Sequence, residues 1–237
     1  MRVIILAAGI GLRLKPFTEN VPKTLFTMGK DQTILGRMTG IIKRNSEAEI
    51  YVVTGFMHEK IESFIQGVTF FYNPFYKVTN SIASLWFARE CLDDDVIIIN
   101  SDIVIEEALF KELLKIDNPA AVLIDCSKIY DADYKVATYN NRVVMMSKDL
   151  STCDGEYAGI TRLSKDSAIK LKHKIETMIH NGQIDEWYEN ALVDMILNDN
   201  FVLNFYDISQ FQWTEVDTAD DLLAARKICE MGENMNG

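Results

Sequence analysis

Two patterns of apolar residues take turns along most of this chain. The runs RVIILAAG, EIYVVTGF, VTFFYNP, DVIIINSD and AAVLIDCS are continuous, rich in β-branched and aromatic residues, and stop at Gly, Asn, Asp or Ser. Such runs predict buried strands. Between them TILGRMTGIIKRN, MHEKIESFIQ, NSIASLWFARECL and IEEALFKELLKI repeat apolar residues at i, i+3 and i+4, the spacing of one helix face. Strands alternating with helices imply an α/β fold with a mostly parallel sheet and helices on both faces.

From residue 134 the pattern loosens. YKVATYNNRVVMMSK predicts a hairpin that turns at Asn140 and Asn141. EYAGITRL reads as a strand leading into the helix SKDSAIKLKHKIETMIHN, IDEWYENALVDMILN as a further helix, and FVLNFYDIS as a strand. A short strand then runs into the final helix across WTEVDTADDLLAARKICE, and the tail MGENMNG is expected to fray. With no Pro/Gly/Ser linker and no internal repeat, residues 1–237 read as one domain.

Composition narrows the partners. An apolar fraction of 48% in 237 residues suffices for a full core, and 35 acidic against 24 basic residues give a net charge of -11. That balance argues against nucleic acid or an anionic membrane surface as partner. Cys91, Cys126, Cys153 and Cys229 are scattered without a Cys-x-x-Cys pair, so neither a disulfide framework nor a zinc cluster is expected. Arg2 is followed by only six apolar residues before Gly9, and no apolar run reaches the membrane-spanning length of about 18 residues. A cytoplasmic location is the expectation. Nothing in the sequence fixes the oligomeric state, and a homo-oligomer stays open.

The chemistry starts at the first strand's end. In open α/β sheets ligands lie beyond the carboxyl ends of the strands. There Gly9 and Gly11 permit positive φ and close backbone approach, and successive N–H groups can converge on phosphate. Arg13 and Lys23 add mobile positive charge. A dinucleotide fingerprint would need glycine at position 14, where Leu14 stands, and the chain holds no Gly-x-x-x-x-Gly-Lys-Ser/Thr.

LAAGIGLRLKPFTENVPKTL, residues 6 to 25, closely resembles the signature of the nucleotidyltransferases that make sugar nucleotides and CDP-alcohols. Leu12 is its one departure, where that family usually has Ser or Thr. The resemblance implies a Rossmann-like nucleotidyltransferase (GT-A-like) fold, with a nucleotide-binding half over 1–133 and an acceptor-binding half over 134–230. It also implies that the turn at Leu6, Ala7, Ala8, Gly9 and Gly11 wraps a nucleoside triphosphate while Arg13 and Lys23 hold its phosphates. INSD at 99–102 and TEVDTADDL at 214–222 look like further family landmarks, which would make Asp102 and Asp217 ligands of Mg²⁺.

A phosphate or phosphonate oxygen attacking the α-phosphorus is already largely ionised near neutral pH, since a second phosphate pKa is about 6, so no general base is needed. His58, His173 and His180 accordingly read as structural. Mg²⁺ takes one or two carboxylates together with phosphate oxygens and water. Thr218 and Asp221 can cap the last helix by themselves, which leaves Asp217 for another role.

YNPFYKVTNSIASLWFARE resembles the CTP-using branch that includes choline-phosphate and 2-aminoethylphosphonate cytidylyltransferases. By that likeness Asn80, Ser81 and Ser84 lie near base and ribose; a helix N-cap is the alternative for the first two. DADYKV and DEWYENAL also resemble this branch, which would put Lys135 at the acceptor's phosphate and Trp187, Tyr188 and Glu189 around an ammonium group. Some choline-phosphate enzymes carry an aromatic residue after the AGITRL-type strand; here Arg162 and Leu163 stand there, and Arg162 could meet an acceptor carboxylate. The implied partners are CTP and a small phosphate or phosphonate acceptor: 2-aminoethylphosphonate, phosphocholine, phosphoethanolamine or an amino acid phosphate. A sugar-1-phosphate uridylyl- or thymidylyltransferase and an inactive nucleotide-binding module are the rival readings.

Overall fold

A computed structural model describes residues 1–29, 32–130 and 132–234. Asp131 of the DADYKV stretch and residues 235–237 of the tail lie outside the described residues.

The first half builds a parallel sheet. Its strands are β1 (Arg2–Ala7), β2 (Glu49–Thr54), β3 (Thr69–Tyr72) and β4 (Val96–Asn100). β1 pairs in parallel with both β2 and β4, and β2 with β3. Val3 through Ala7 and Val96 through Ile99 are all buried, which is why these segments show no polar alternation. The crossovers carry α1 (Ile34–Asn45), α2 (His58–Phe64) and α3 (Ser81–Phe87). Thr33 caps α1 by accepting from the Gly36 N–H at 3.0 Å.

The second half changes strand direction. β5 (Ile103–Ile105), α4 (Glu107–Leu113) and β6 (Ala120–Asp125) precede the hairpin of β7 (Lys135–Tyr139) and β8 (Arg142–Ser147). Asn140 and Asn141 both take positive φ, 50° and 59°, as a two-residue hairpin turn demands. β9 (Gly155–Leu163) then inserts antiparallel between β4 and β6. α5 (Lys165–His180), α6 (Tyr188–Asn198), β10 (Asn204–Asp207), β11 (Trp213–Glu215) and α7 (Ala219–Asn234) complete the chain. The large sheet runs β3-β2-β1-β4-β9-β6-β10-β8-β7, with β11 and β5 paired separately. It is therefore mixed, parallel through β3-β2-β1-β4 and largely antiparallel beyond.

One apolar cluster lies under α3, α5 and α6 and includes Ile82, Leu171 and Leu192; the other lies under α1 and α4 and includes Leu35, Ile41 and Phe110. α7 packs Ala225, Ile228 and Cys229 with Val104 and Val216. The helix continues through Asn234, beyond Met231 where fraying was expected, because this apolar face holds its preceding turns against β5 and β11.

The second half of the chain is tied to the first by hydrogen bonds at the start of α3. Asn80 N–H donates to the Ile184 carbonyl, Ile82 N–H to that of Glu186, and Tyr188 N–H to Ser81 Oγ. The start of α6 is thereby fixed beside the start of α3. Among the described residues no helix is long and apolar enough to cross a membrane.

Candidate active site

A cavity of about 600 Å³ opens beyond the carboxyl ends of β1 and β4, where the sheet switches from parallel to antiparallel neighbours. The turn after β1 forms one wall. Gly11 has φ 69°, and a Cβ there would sit 3.2 Å from Thr18 Cγ2 and 3.3 Å from Lys23 Cβ. Glycine at this position thus serves both the left-handed backbone and the packing of Lys23 against it. Thr18 Oγ1 donates to the Gly11 carbonyl at 3.0 Å and closes the loop. Leu6, Ala8, Gly9, Gly11 and Arg13 line the cavity, whereas Ala7 is buried in the core, since successive strand residues face opposite sides.

The charged centre is compact. Lys23 Nζ lies 2.7 Å from Asp102 Oδ2 and 2.9 Å from Asp217 Oδ1, and Arg13 Nη2 lies 2.8 Å from Asp217 Oδ2. Two backbone bonds set this up: Ser101 N–H donates to the Leu6 carbonyl, and Val216 N–H donates to the Asp102 carbonyl at 3.0 Å. Burial opposes the charge on Lys23, but Asp102 and Asp217 together outweigh it and hold the ammonium above the usual lysine range. Burial likewise pushes the Asp217 carboxyl up, and Lys23 and Arg13 more than reverse that. Thr218 and Asp221 form a reciprocal cap, Thr218 Oγ1 donating to Asp221 Oδ2 at 2.8 Å and Asp221 N–H to Thr218 Oγ1 at 3.3 Å. Asp217's carboxylate is left to face Lys23.

Glu215 is a third carboxylate that sequence reasoning missed. It offers an oxygen within 4.8 Å of those of Asp102 and Asp217. Burial, followed by the charges of Asp102 and Asp217, pushes its carboxyl up to about 9. Its place two residues before Asp217 was a usable signal, because alternate residues of an extended segment share a face. The three residues fit a hard divalent cation. They are all oxygen donors, and Asp102 Oδ1 is buried without a hydrogen-bond partner.

Asn80, Ser81 and Ser84 line the cavity with Tyr76 and Thr79. Asn80 also caps α3, its Oδ1 accepting from the Ser81 N–H at 2.8 Å, so the capping and lining roles coexist. Asn73 is fully buried and braces this wall through Ser84 Oγ at 3.1 Å and Thr79 Oγ1 at 3.2 Å.

The residues expected to meet an acceptor depart from the sequence expectation at three positions. Trp187 and Glu189 line the cavity, but Tyr188 between them is fully buried, with its hydroxyl on those of Tyr157 and Thr161. Trp187 is the N-cap of α6 with extended backbone, φ -71° and ψ 145°, and the helix begins at Tyr188, so the three side chains leave the chain in different directions. Lys135 is outside the lining: its ammonium donates to the Leu150 carbonyl at 2.8 Å. Lys148, just past the end of β8, reaches the cavity instead and pairs with Asp133 at 2.6 Å. No sequence pattern singled it out. Arg162 is also displaced. β9 runs antiparallel to β4, with Arg162 opposite Ile97 near the beginning of β4 and Ile160 opposite Ile99. The beginning of β9, with Tyr157 and Gly159, therefore meets the cavity, while Arg162 donates to the Asn118 carbonyl away from it. Arg162 and the buried Leu163 both lie outside the lining of the cavity. His58, His173 and His180 all lie off the lining.

Trp187 meets Tyr134 edge to face, centroids 5.9 Å apart at 84°. Glu189 is 4% exposed, and burial pushes its carboxyl up to about 7 despite a hydrogen bond from the Asn100 side chain.

A glycine turn with convergent cations, set against a carboxylate cluster at the switch point of an α/β sheet, defines an enzyme that handles phosphate groups. The chain belongs to the nucleotidyl transferase family, whose model matches residues 2–133, and it is an enzyme of the nucleotidyltransferase class. It is 24% identical over 243 residues to the choline-phosphate cytidylyltransferase of Streptococcus pneumoniae, covering 100% of both chains. It is 29% identical over 250 residues to the CTP:phosphoglutamine cytidylyltransferase of Campylobacter jejuni, covering 94% of this chain and 98% of the other. A solved CTP:phosphocholine cytidylyltransferase from Streptococcus pneumoniae superposes with a TM-score of 0.81 at 20% identity, covering 96% of this chain and 98% of that one, and establishes the shared fold.

Proposed function

We propose that the protein is a Mg²⁺-dependent cytidylyltransferase that moves CMP from CTP onto a small phosphonate or phosphate carrying an amine, with release of pyrophosphate. The observation that carries this reading is the convergence on one cavity of Arg13, Lys23 and three carboxylates with Lys148, Trp187 and Glu189, Arg13 and Lys148 meeting the same Asp133 Oδ2 at 3.9 and 2.6 Å. The full-length likeness to two cytidylyltransferases supports the choice of nucleotide. A cytoplasmic setting, with its nucleoside triphosphates, belongs to the same reading.

In this reaction an ionised acceptor oxygen forms a bond to the α-phosphorus of CTP, and the bond from that phosphorus to the β-phosphate oxygen breaks. Pyrophosphate leaves with the electron pair, and no proton need be removed from the nucleophile. The barrier is dominated by crowding of negative charge, so positioning and electrostatics do the catalysis. The backbone N–H groups of the Gly9–Gly11 turn cradle the triphosphate. Lys23 and Arg13 exchange their present carboxylate partners for phosphate oxygens. Asp102 and Asp217, with Glu215 beside them, would hold Mg²⁺, which supplies charge neutralisation at the α-phosphate and the leaving group when bound. Lys148 replaces Lys135 as the cation for the acceptor's phosphorus group, and Trp187 and Glu189 meet its ammonium.

Pyrophosphate release with each of CTP, UTP and dTTP against a panel of acceptors tests the reading. Turnover with CTP and an amine-bearing phosphonate or phosphate is expected. Turnover of glucose 1-phosphate with UTP or dTTP, and none with CTP, would overturn it.

A further inference from the structure

The cavity is asymmetric around Glu189 in a way that distinguishes kinds of ammonium. Glu189 sits in the first turn of α6, lines the cavity and is 4% exposed. Its Oε2 is buried and accepts no hydrogen bond. The Asn100 side chain hydrogen-bonds this carboxyl group, and the other polar side chains around it are committed elsewhere. The Tyr157 and Tyr188 hydroxyls bond to each other and to Thr161, the Tyr134 hydroxyl faces Asn190 Oδ1 at 3.4 Å, and Lys148 is paired with Asp133. A buried carboxylate oxygen without a donor is costly, so this one is completed by whatever N–H the ligand brings.

The aromatic groups provide less than a quaternary ammonium requires. Trimethylammonium has no N–H and is held by several ring faces turned toward it. Here Trp187 meets Tyr134 edge to face, and Tyr134 meets Tyr157 at 65°, so the three rings stand against one another's edges. The Trp187 ring also already faces a cation of the chain, with Lys148 Nζ 5.2 Å from its centroid.

Resting on the cytidylyltransferase reading, we propose that the acceptor is a primary amine, an ammonium with N–H groups to donate, and that Glu189 is the residue that selects it over a trimethylammonium. The carboxylate accepts one N–H through Oε2, and Lys148 holds the phosphonate or phosphate at the far end of the same small molecule. Each methyl placed on nitrogen removes a donor and adds bulk against a buried oxygen. The third removes the last N–H.

Steady-state kinetics with CTP, Mg²⁺ and 2-aminoethylphosphonate in its unmethylated, N-methyl, N,N-dimethyl and N,N,N-trimethyl forms tests this, since the permanent phosphonate and the cationic charge stay while the donors disappear. For the wild-type enzyme kcat/KM should fall along the series, by about tenfold or more from primary to trimethyl, mainly through KM, the size expected for one hydrogen bond to a charged group. Glu189→Gln should flatten the series to within about threefold, and Glu189→Asp, which keeps the charge, should retain the slope. Thermal melting confirms that both variants fold, and the Asp variant keeps the test decisive if the Gln variant does not. Equal or better use of the trimethyl form by the wild-type enzyme would overturn the proposal while leaving the cytidylyltransferase reading intact. A Glu189→Gln enzyme that kept the wild-type slope would overturn the role of Glu189. Absence of turnover with every member of the series would overturn both readings together.

Discussion

The cavity is lined from two halves of one large sheet that obey different rules. In the parallel half β1 and β4 run the same way, so a polar residue that closes an apolar run arrives at the site by construction; Gly9 and Asp102 do so. Beyond β4 the strands reverse, and the beginning of β9, not its end, comes to the cavity. Position within a run is therefore informative in the first half and ambiguous in the second. The carboxylate cluster crosses that boundary, since Asp102 comes from the first half and Glu215 and Asp217 from the second.

Substitutions sharpen that comparison, and the largest effects belong at the carboxylate centre. Asp102→Ala and Asp217→Ala should each lower kcat by roughly three orders of magnitude, because each removes an oxygen ligand whose charge is used in the transition state. The check is the steady-state rate at saturating Mg²⁺ and both substrates. Near-normal rates in both variants would overturn that role. Lys23→Ala should follow, with a loss of about 10²-fold in kcat/KM for CTP, and with the acceptor KM little changed. If the acceptor KM rose instead, Lys23 would belong with the groups that hold the acceptor.

A smaller pair of effects separates structure from sequence expectation within the second half. Lys148→Ala should raise the acceptor KM about tenfold with CTP binding unaltered, the loss expected for a charge-assisted hydrogen bond. Lys135→Ala should change it by no more than about twofold, since its ammonium is spent on the Leu150 carbonyl. Acceptor titrations of the two variants decide, and the reverse ranking would restore Lys135 to the site. The smallest effect is Arg162→Ala, with kinetics unchanged within about twofold and stability within about 0.5 kcal/mol by chemical denaturation, because the side chain is remote from the cavity.

The fold was legible where local chemistry is strong. Uninterrupted apolar runs announced strands that are buried except at β3, which lies part-exposed at the sheet edge, while paired asparagines announced a hairpin and Thr218 with Asp221 a cap. The glycine turn and Lys23 were readable because they share one compact stretch at a strand end, and Asp102 and Asp217 because INSD and TEVDTADDL resemble landmarks of a known family. The rest depended on geometry that spacing does not encode. Whether Trp187, Tyr188 or Glu189 faces the cavity is set by how α6 seats on β9, where Tyr188 joins Tyr157 and Thr161. Lys148 enters from just past a hairpin strand, at a position that no periodicity marks. Glu215 alone among the missed residues had a signal in the sequence, its spacing of two from Asp217.

The central claim is that this cavity exposes the α-phosphorus of CTP and delivers an amine-bearing phosphorus oxyanion to it. The most direct measurement is phosphorus NMR of the wild-type enzyme incubated with CTP, Mg²⁺ and 2-aminoethylphosphonate. The account predicts that the CTP signals give way to pyrophosphate and to two mutually coupled resonances, one in the phosphonate region, from a CMP–phosphonate anhydride. Consumption of CTP to CMP and pyrophosphate with the phosphonate resonance unmoved, or no consumption at all, would contradict it.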